Sequence, residues 1–369
     1  MDLVEPRGKF NNGDKMKTVT ILGAGVMGSA MTLPFADRGF EVRLVGTHLD
    51  GEIIESIRTN LLHPKLNVTL PSQVKSYTYD QFAQAVGNDT DLILLGVSSA
   101  GVTWAIERLA ETLLKPVPVL MITKGMHPQT ASLATLPDLV AKSLKQKLGF
   151  DVPVAAIGGP CIAGELAVRR LTGTVIVSHD EALAAQLCAA LETDYYHPRP
   201  STDMVGVETC AAFKNFFAIA VGWAHGAMAR MTPAENKAQN NNAASIIFNQ
   251  SVREMIALTK ALGGTAESVW GMPGVGDLYV TCQAGRNSRL GNNLGRGLTY
   301  SETRNGPMKG DTIEGAELGV ATAHSLRAMM AGGVLDEAAM PLANALLKTL
   351  LLDAPLEIPW RVFHRANHT

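Results

Sequence analysis

A lysine lies in the middle of a strongly apolar stretch of the chain, "ETCAAFKNFF" at residues 208–217. Helical spacing counted from Lys214 places small and apolar residues on the same side: Val207, Cys210, Ala211, Ala218 and Val221. A charge on such a core-facing stripe is expensive. The side chain either reaches the surface past its neighbours, or burial lowers its pKa. A position near the middle of a long helix favours the second interpretation.

Three predicted strands end in residues that could face a ligand. They are Val97 and Ser98 in "LLGVSS", Lys124 in "MITKG", and the glycines Gly158 and Gly159 in "AIGGP". Ligands bind outside the carboxyl ends of the strands in an open α/β sheet, so we expect these residues to line one crevice. Lys124 could instead be a solvated loop lysine, and "GGPCIAGE" could be a tight turn into a short helix. The position of this turn beside Lys124 favours a functional role.

A glycine-rich segment, "ILGAGVMGSAM", follows the first predicted strand and opens a helix. Gly23, Gly25 and Gly28 have the G-x-G-x-x-G spacing, which permits a tight turn, close approach of the backbone to a pyrophosphate, and close packing of helix on strand. The phosphates would lie at the helix N-terminus. A glycine-rich turn without a ligand is the alternative, but the surrounding strand and helix favour dinucleotide binding.

The choice between NAD and NADP is open in the sequence. The second predicted strand, "EVRLV", continues into "GTHLD" without a carboxylate at its tip. A carboxylate there would hold the ribose 2′-hydroxyl and repel a 2′-phosphate. We expect Asp50 to lie too far along the chain for this role, and Thr47, His48 and Arg43 could tolerate the phosphate.

The order of the predicted elements indicates how these residues are positioned. Short β-branched runs alternate with helical patterns from Lys17 to about Arg199, which predicts a doubly wound parallel sheet of Rossmann type. The runs are "TVTIL", "EVRLV", "DLILLGV", "VPVLMIT", "VPVAAI" and "GTVIVS". Only helices follow, most clearly at residues 204–224, 243–262, 313–332 and 336–351. The fold class is therefore α/β, with an N-terminal Rossmann-type sheet and an all-helical C-terminal domain.

We place the domain boundary near residue 201. Pro198 and Pro200 in "DYYHPRPSTDM" mark a junction, and Asp203 is a candidate N-cap of the helix that carries Lys214. The predicted units are residues 16–200, which bind the dinucleotide, and residues 201–369, which bind the substrate. We expect residues 1–15 to be a disordered extension or to reflect the choice of start site.

The composition excludes several classes of function. The chain has 369 residues, 46% of them hydrophobic, and its net charge of −2 argues against a broad surface for nucleic acid. The four cysteines form no Cys-x-x-Cys pair, so we expect reduced thiols, no zinc site and no other metal. We find no signal peptide and no membrane span, and we expect a cytoplasmic protein.

Eight motifs of the chain resemble one enzyme family. They are "ILGAGVMG", "TKG", "GGPCIAGE", "GVETCAAFKNFFAIAVG", "ALGG", "GVGDLYVTC", "GRNSRLG" and "IEG". Their order and nearly their spacing are similar to those of the NAD(P)-dependent sn-glycerol-3-phosphate dehydrogenases, over residues 17 to about 350. The resemblance implies hydride exchange between NAD or NADP and C2 of sn-glycerol 3-phosphate or dihydroxyacetone phosphate.

The resemblance also implies roles for individual residues. Lys214 matches the general acid/base lysine, Lys124 the second active-site lysine, and Asp277 the substrate-binding aspartate. For the phosphorylated substrate the implied residues are Lys124, Gly159, Cys161, Lys214, Asn215, Asp277, Arg286 and Asn287. For the nucleotide they are Gly23, Gly25, Val26, Met27, Gly28, His48, Val97, Lys124, Ala163, Arg286 and Glu314.

Burial and a second nearby cation both disfavour an ammonium group, so we expect Lys214, facing Lys124, to have a lowered pKa suited to proton transfer. We expect Arg286 to lie in a loop whose glycines and asparagines permit unusual backbone angles and whose arginines can bind phosphate. Asp277 could also be a simple turn or N-cap residue.

Some segments depart from the family pattern. "MARMTPAENKAQNNNAAS" replaces the customary arginine-bearing stretch, and Cys161 and Gly285 stand where polar residues are common. A larger phosphorylated polyol or a hydroxy acid is therefore an alternative substrate, and a catalytically silent nucleotide sensor is an alternative of another class. The helical domain could bury a homodimer interface.

Overall fold

The computed structural model describes residues 16–235 and 237–363. The prediction for residues 1–15 lies outside the described residues. The strands are β1 (Thr18–Leu22), β2 (Glu41–Val45), β3 (Leu62–His63), β4 (Val68–Thr69), β5 (Val74–Tyr77), β6 (Leu92–Leu95), β7 (Val119–Met121), β8 (Met126–Gln129), β9 (Ser132–Thr135), β10 (Val154–Gly158), β11 (Thr172–Ser178) and β12 (Tyr196–Ser201).

Helices follow most strands and make up almost all of the chain after β12. They are α1 (Val26–Ala30), α2 (Thr32–Asp37), α3 (Gly51–Asn60), α4 (Phe82–Val86), α5 (Val102–Thr112), α6 (Leu136–Leu148), α7 (Ala163–Leu166), α8 (Glu181–Leu191), α9 (Met204–Ala227), α10 (Asn241–Ala261), α11 (Ala266–Trp270), α12 (Asp277–Gln283), α13 (Arg286–Gly295), α14 (Tyr300–Asn305), α15 (Glu314–Ala331), α16 (Pro341–Leu352) and α17 (Trp360–Phe363).

An eight-stranded sheet is the framework of the first half of the chain, in the order β12-β11-β10-β7-β6-β1-β2-β5. Neighbouring strands are parallel except β10 and β11, which pair antiparallel. Apolar clusters cover both faces, and β1 is buried throughout. The predicted Rossmann-type fold with a helical second part is confirmed, with one antiparallel pair in place of an all-parallel sheet.

Strand β12 lies in the segment that the sequence analysis assigned to a junction. Pro198 and Pro200 belong to this strand, which within residues 16–235 and 237–363 pairs with β11 alone. Proline cannot donate a ladder hydrogen bond, but an edge strand has one side free of partners and tolerates it. The change from sheet to helices occurs between Ser201 and Met204.

Helix α9 is the central element of the second half. Its N-cap is Asp203, whose carboxylate accepts a hydrogen bond from the Gly206 amide, as the sequence indicated. The segment Met204–Arg230 is long and apolar enough to cross a membrane by those measures alone, but 94% of its most apolar window is buried inside the protein. It therefore packs as a core helix does.

Helices α9 and α13 touch through their backbones. A Cβ atom at Gly291 would lie 1.9 Å from the carbonyl oxygen of Ile219, and one at Gly222 would lie 2.4 Å from that of Ser288. The prediction of a loop around Arg286 is wrong, because Arg286 begins helix α13 and Gly291 within this helix serves close packing against α9. Positive φ angles occur at the two ends of α13, 117° at Gly285 and 102° at Gly297.

A buried glutamate joins two helices of this second half. Glu254 on α10 accepts hydrogen bonds from the backbone amides of Leu342 and Ala343 at the start of α16, both at 2.7 Å. Gln250 donates a third at 2.9 Å. Burial raises the pKa of Glu254 to about 7, while these donors act in the opposite direction.

We expect Glu254→Ala to lower the free energy of unfolding by about 2–4 kcal/mol, because it leaves two buried helix-terminal N–H groups unpaired. Chemical denaturation at neutral pH measures this. Glu317→Ala, at an exposed position on α15, is the control and should change stability little. Equal effects of the two substitutions would contradict this role.

Candidate active site

Three charged side chains meet where the sheet adjoins the helices. Lys124 follows β7, Lys214 lies in the middle of α9, and Asp277 is the first residue of α12. The Lys214 ammonium nitrogen contacts Oδ1 of Asp277, and that of Lys124 lies 3.4 Å from Oδ2. The side chains of Lys214 and Asp277 are 5% and 3% exposed, and that of Lys124 is 25% exposed. One carboxylate therefore bridges two lysines, one buried and one open to the crevice.

The two lysines have different protonation properties. Burial, followed by the charge of Lys124, lowers the pKa of Lys214 to about 7, although Asp277 acts in the opposite direction. Burial also disfavours the charged form of Lys124, but the Asp277 carboxylate and smaller contributions from Lys214, Cys161 and Glu314 together outweigh it and raise the pKa of Lys124. At neutral pH Lys124 thus carries a positive charge, and Lys214 can accept or release a proton.

A π-helical turn, Met272–Gly276, places Asp277 against the lysines. Its hydrogen bond runs from the Gly276 amide to the Gly271 carbonyl at 3.3 Å. The side chain of Asp277 caps no helix, and its carboxylate is directed at Lys124 and Lys214. The alternative of a simple turn or N-cap residue therefore does not describe Asp277. Such turns occur frequently at functional sites.

A chain of amide hydrogen bonds joins α9, α13 and α15 beside this cluster. Asn287 donates to Asn215 Oδ1 at 3.0 Å and accepts from the Gly315 amide at 2.9 Å. Asn215 donates to Glu314 Oε2 at 3.2 Å. The Arg286 guanidinium lies 3.7 Å from Glu314 Oε1, and both side chains are about half exposed. The four predicted residues are thus brought together at one edge of the site.

The glycine-rich turn after β1 fits a dinucleotide phosphate. Gly23 has a φ of 110°, and a Cβ there would lie 2.8 Å from the carbonyl carbon of Gly96. A Cβ at Gly28 would lie 2.1 Å from the Gly23 carbonyl oxygen, so helix and strand pack closely. A Cβ at Gly25 would meet nothing within 4 Å, which leaves the N-terminus of α1 open to a ligand. Val26 is half-exposed on the same turn.

The remaining predicted nucleotide residues lie around this turn. Val97 follows β6, and its amide nitrogen would be 3.1 Å from a Cβ at Gly23. Met27 is partly buried against the sheet, and Ala163 begins α7, which packs on α1. His48 is exposed and stands edge-on to Trp104, with ring centroids 6.4 Å apart.

The structure corrects one expectation about β2 and its tip. Arg43 is buried within the sheet, where Asp89 at 2.6 Å and Glu41 at 2.9 Å hold its guanidinium group. The expectation that it could accept a 2′-phosphate is therefore wrong. Asp50, just beyond this tip, reaches back to the glycine-rich turn and accepts a hydrogen bond from the Ala24 amide at 3.3 Å. The expectation that Asp50 lies too far along the chain to hold a ribose 2′-hydroxyl stays a prediction.

The turn after β10 brings a thiol close to the lysines. Gly159 has a φ of 117° and packs against the backbone of Thr174. Burial raises the pKa of the Cys161 thiol to about 11, while the charge of Lys124 acts in the opposite direction. Cys161 is therefore a neutral thiol next to the cluster.

Matches to protein-family models cover most of the chain. The model of the NAD-dependent glycerol-3-phosphate dehydrogenase N-terminus matches residues 18–184, and that of the C-terminus matches residues 203–357. The chain belongs to the NAD-dependent glycerol-3-phosphate dehydrogenase family. The NADP(+)-dependent glycerol-3-phosphate dehydrogenase of Archaeoglobus fulgidus is 37% identical over 284 residues, which cover 77% of this chain and 82% of the relative.

A further relative supports the family assignment, and two solved structures show the same fold. The glycerol-3-phosphate dehydrogenase (NAD(P)+) of Halorhodospira halophila is 32% identical over 92% of this chain and 94% of its own. The solved structure of glycerol-3-phosphate dehydrogenase from Coxiella burnetii has a TM-score of 0.75 at 24% identity, with 96% of this chain and 100% of that chain covered. The structure from Plasmodium falciparum has a TM-score of 0.79 at 19% identity, with 97% of each chain covered. The resemblance seen in the sequence is confirmed.

One buried acid near Lys124 was not predicted from the sequence. Glu208 on α9 is 1% exposed, and its Oε2 atom has no hydrogen-bond partner among the described residues. Burial raises the pKa of Glu208 to about 8, while the charge of Lys124 acts in the opposite direction. Its place two turns before Lys214 within the apolar helix is the signal that could have identified it.

Glu208 should make stability depend on pH. Its pKa in the folded protein is raised, so between about pH 4.5 and 8 the folded chain holds a proton that the unfolded chain releases, and stability falls as pH rises. We expect Glu208→Gln to gain stability relative to the wild type as pH rises from 5 to 8. Urea unfolding at several pH values measures this. A difference that does not change with pH would contradict the burial of this ionisable group.

Proposed function

We propose that the protein exchanges a hydride between NAD or NADP and C2 of sn-glycerol 3-phosphate or dihydroxyacetone phosphate. One observation carries the proposal: in a chain of this family, a buried lysine with a lowered pKa contacts a carboxylate that also holds a second, charged lysine. A structural ion pair would need neither the second lysine nor its position at the carboxyl end of a strand.

Lys214 would act as the general acid/base. In the oxidation direction its neutral amine takes the proton of the C2 hydroxyl as the hydride leaves C2, and in reduction its ammonium group returns the proton to the carbonyl oxygen. Asp277 orients Lys214, and the Lys124 ammonium supplies positive charge to the oxygen that becomes negative in the transition state. Gly159 and Cys161 would border the substrate.

The nucleotide would lie along the glycine-rich turn. Gly23, Gly25, Val26, Met27 and Gly28 would form the phosphate site, since the N-terminus of α1 is open at Gly25. Its nicotinamide ring accepts or supplies the hydride. His48 would border the adenosine ribose, while Val97 and Ala163 border the crevice, and Glu314 would contact the nucleotide from α15.

Arg286 would bind the substrate phosphate, with Asn287 and Asn215 as its supports. The Arg286 side chain is about half exposed and makes one long contact with Glu314, so its donors are available to a phosphate. Both amide atoms of Asn287 are engaged, with Asn215 and with the Gly315 amide. Asn287 therefore fixes the relative position of α9, α13 and α15 at the site.

Lys214→Ala tests the acid/base role. We expect kcat for the oxidation of NADH or NADPH by dihydroxyacetone phosphate to fall by about 10²–10⁴-fold, because Lys124, the other lysine at Asp277, has a raised pKa and cannot replace Lys214 in proton exchange. The loss of nucleotide absorbance measures this rate and also compares the two nucleotides. Lys260→Ala, at an exposed position on α10, is the control.

A wild-type protein that binds nucleotide but does not reduce dihydroxyacetone phosphate would contradict the proposed substrate. Larger polyol phosphates would then be the substrates to test. Nucleotide binding without turnover of any polyol phosphate, unchanged by Lys214→Ala, would indicate a nucleotide sensor instead of an enzyme.

Arg286→Ala tests phosphate recognition. We expect the KM for dihydroxyacetone phosphate to rise by about 10–100-fold, because the phosphate loses a charged hydrogen-bond partner. Nucleotide affinity is measured separately. Arg296→Ala, at an exposed position beyond the end of α13, should leave KM nearly unchanged. If KM is insensitive to Arg286→Ala, a hydroxy acid without phosphate becomes the better substrate class.

We also propose a division near residue 201 between a nucleotide-binding and a substrate-binding domain, and a homodimer whose interface involves the helical half. Light scattering measures the oligomeric state directly. We also propose that the protein lies in the cytoplasm.

A further inference from the structure

The peptide groups around Ala24, between the first two glycines of the nucleotide turn, are hydrogen-bonded on both sides. Its amide donates to Asp50 Oδ2 at 3.3 Å. Its carbonyl oxygen accepts from Ser29 Oγ at 3.2 Å and contacts His63 Nε2 at 3.1 Å. Ala24 itself is fully buried. Asp50 and His63 are 26 and 39 residues away in sequence and come from two different segments.

His63 can make its contact in one tautomer only. Its Nδ1 atom accepts a hydrogen bond from the Leu66 amide at 3.1 Å, so Nδ1 carries no proton. The proton is on Nε2, which donates to the Ala24 carbonyl. Burial lowers the pKa of His63, with Lys65 acting in the same direction and Asp50 against it. His63 is therefore a neutral imidazole with both nitrogen atoms engaged.

Asp50 connects the tip of β2 to the other peptide group, the one between Gly23 and Ala24. Its Oδ2 atom also accepts from the Thr47 amide and the Thr47 hydroxyl, both at 2.8 Å. This carboxylate lies just before α3, while His63 lies in the β3–β4 hairpin just after it. Two segments that flank α3 thus converge on the two successive peptide groups that flank Ala24.

Fixing these peptide groups also fixes the amides that follow them. Gly25 is the N-cap of α1 and Val26 is its first residue, positions whose N–H groups have no partner within a helix. Glycines on both sides of Ala24 permit many backbone conformations, so the turn alone would not keep these donors in one direction. Binding to donors that are already oriented avoids the entropy cost of ordering them.

We propose that Asp50 and His63 are positioning residues that hold the two peptide groups flanking Ala24 so that the N–H groups at the start of α1 face a dinucleotide phosphate. The inference rests on the proposed nucleotide-dependent function. Neither residue needs to touch the nucleotide through these contacts, since both act through Ala24.

Two substitutions at His63 separate its two hydrogen bonds. The amide of glutamine can take the place of Nε2 and donate to Ala24, whereas asparagine is too short for this and can replace only the Nδ1 acceptor. Calorimetric titration with NADH and with NADPH compares His63→Gln, His63→Asn and the wild type. His127→Asn, at an exposed position on β8, is the control.

We expect His63→Asn to weaken nucleotide binding by about 10-fold, because it loses the buried hydrogen bond to the Ala24 carbonyl. His63→Gln keeps this hydrogen bond and should weaken nucleotide binding by less than about 3-fold. In turnover assays, the KM for the nucleotide should rise in His63→Asn with kcat nearly unchanged. Asp50→Ala should weaken nucleotide binding in the same way. Equal affinities for all variants, or equal losses in His63→Asn and His63→Gln, would overturn the proposal.

A measurement on the wild type covers the case in which a variant fails to fold. In the absence of nucleotide, hydrogen exchange should show the Ala24 amide strongly protected by Asp50. Exchange of this amide at the rate of an open loop would overturn the proposal. Calorimetric titration and amide hydrogen exchange do not depend on turnover. A protein that binds nucleotide but turns over no polyol phosphate would therefore contradict the proposed substrate and leave the proposal for Asp50 and His63 standing.

Discussion

The contact between Lys214 and Asp277 is the interaction on which the rest of the site depends. An isolated ammonium group in the middle of α9 would be too costly to bury, and the carboxylate makes its burial possible. Lys124 shares the same carboxylate, so two cations compete for one anion. The more buried lysine is the one with the lowered pKa. Burial and competition together give a lysine that can exchange a proton near neutral pH.

The fold brings these groups together from distant parts of the sequence. The sheet places Lys124 at the end of β7, and the π-helical turn before α12 directs Asp277 at both lysines. Close packing between α9 and α13, which Gly222 and Gly291 permit, sets the amide network beside them. Each element supplies one or two groups, so a small shift of any helix would change the geometry of the whole cluster.

Much of the fold and the centre of the site could be predicted from the sequence. The buried strands were visible as β-branched runs, and Lys214 as a charge on an apolar stripe. Strand β12 was missed because its prolines are typical of junctions, and the edge position that tolerates them is a tertiary property. The contacts of Asp50 and His63 with Ala24 were missed because they join distant segments and leave no local pattern.

The most direct measurement is the titration of the Lys214 amine itself. Lysine labelled with ¹⁵N at Nζ, with the Lys214 signal assigned through Lys214→Arg, would report the charge of this group by NMR from pH 5 to 11. Half-protonation near pH 7, with Lys124 still protonated well above that value, is the expected result. A Lys214 ammonium group that stays fully protonated to pH 10 would contradict the account, because burial and Lys124 would then not control its proton.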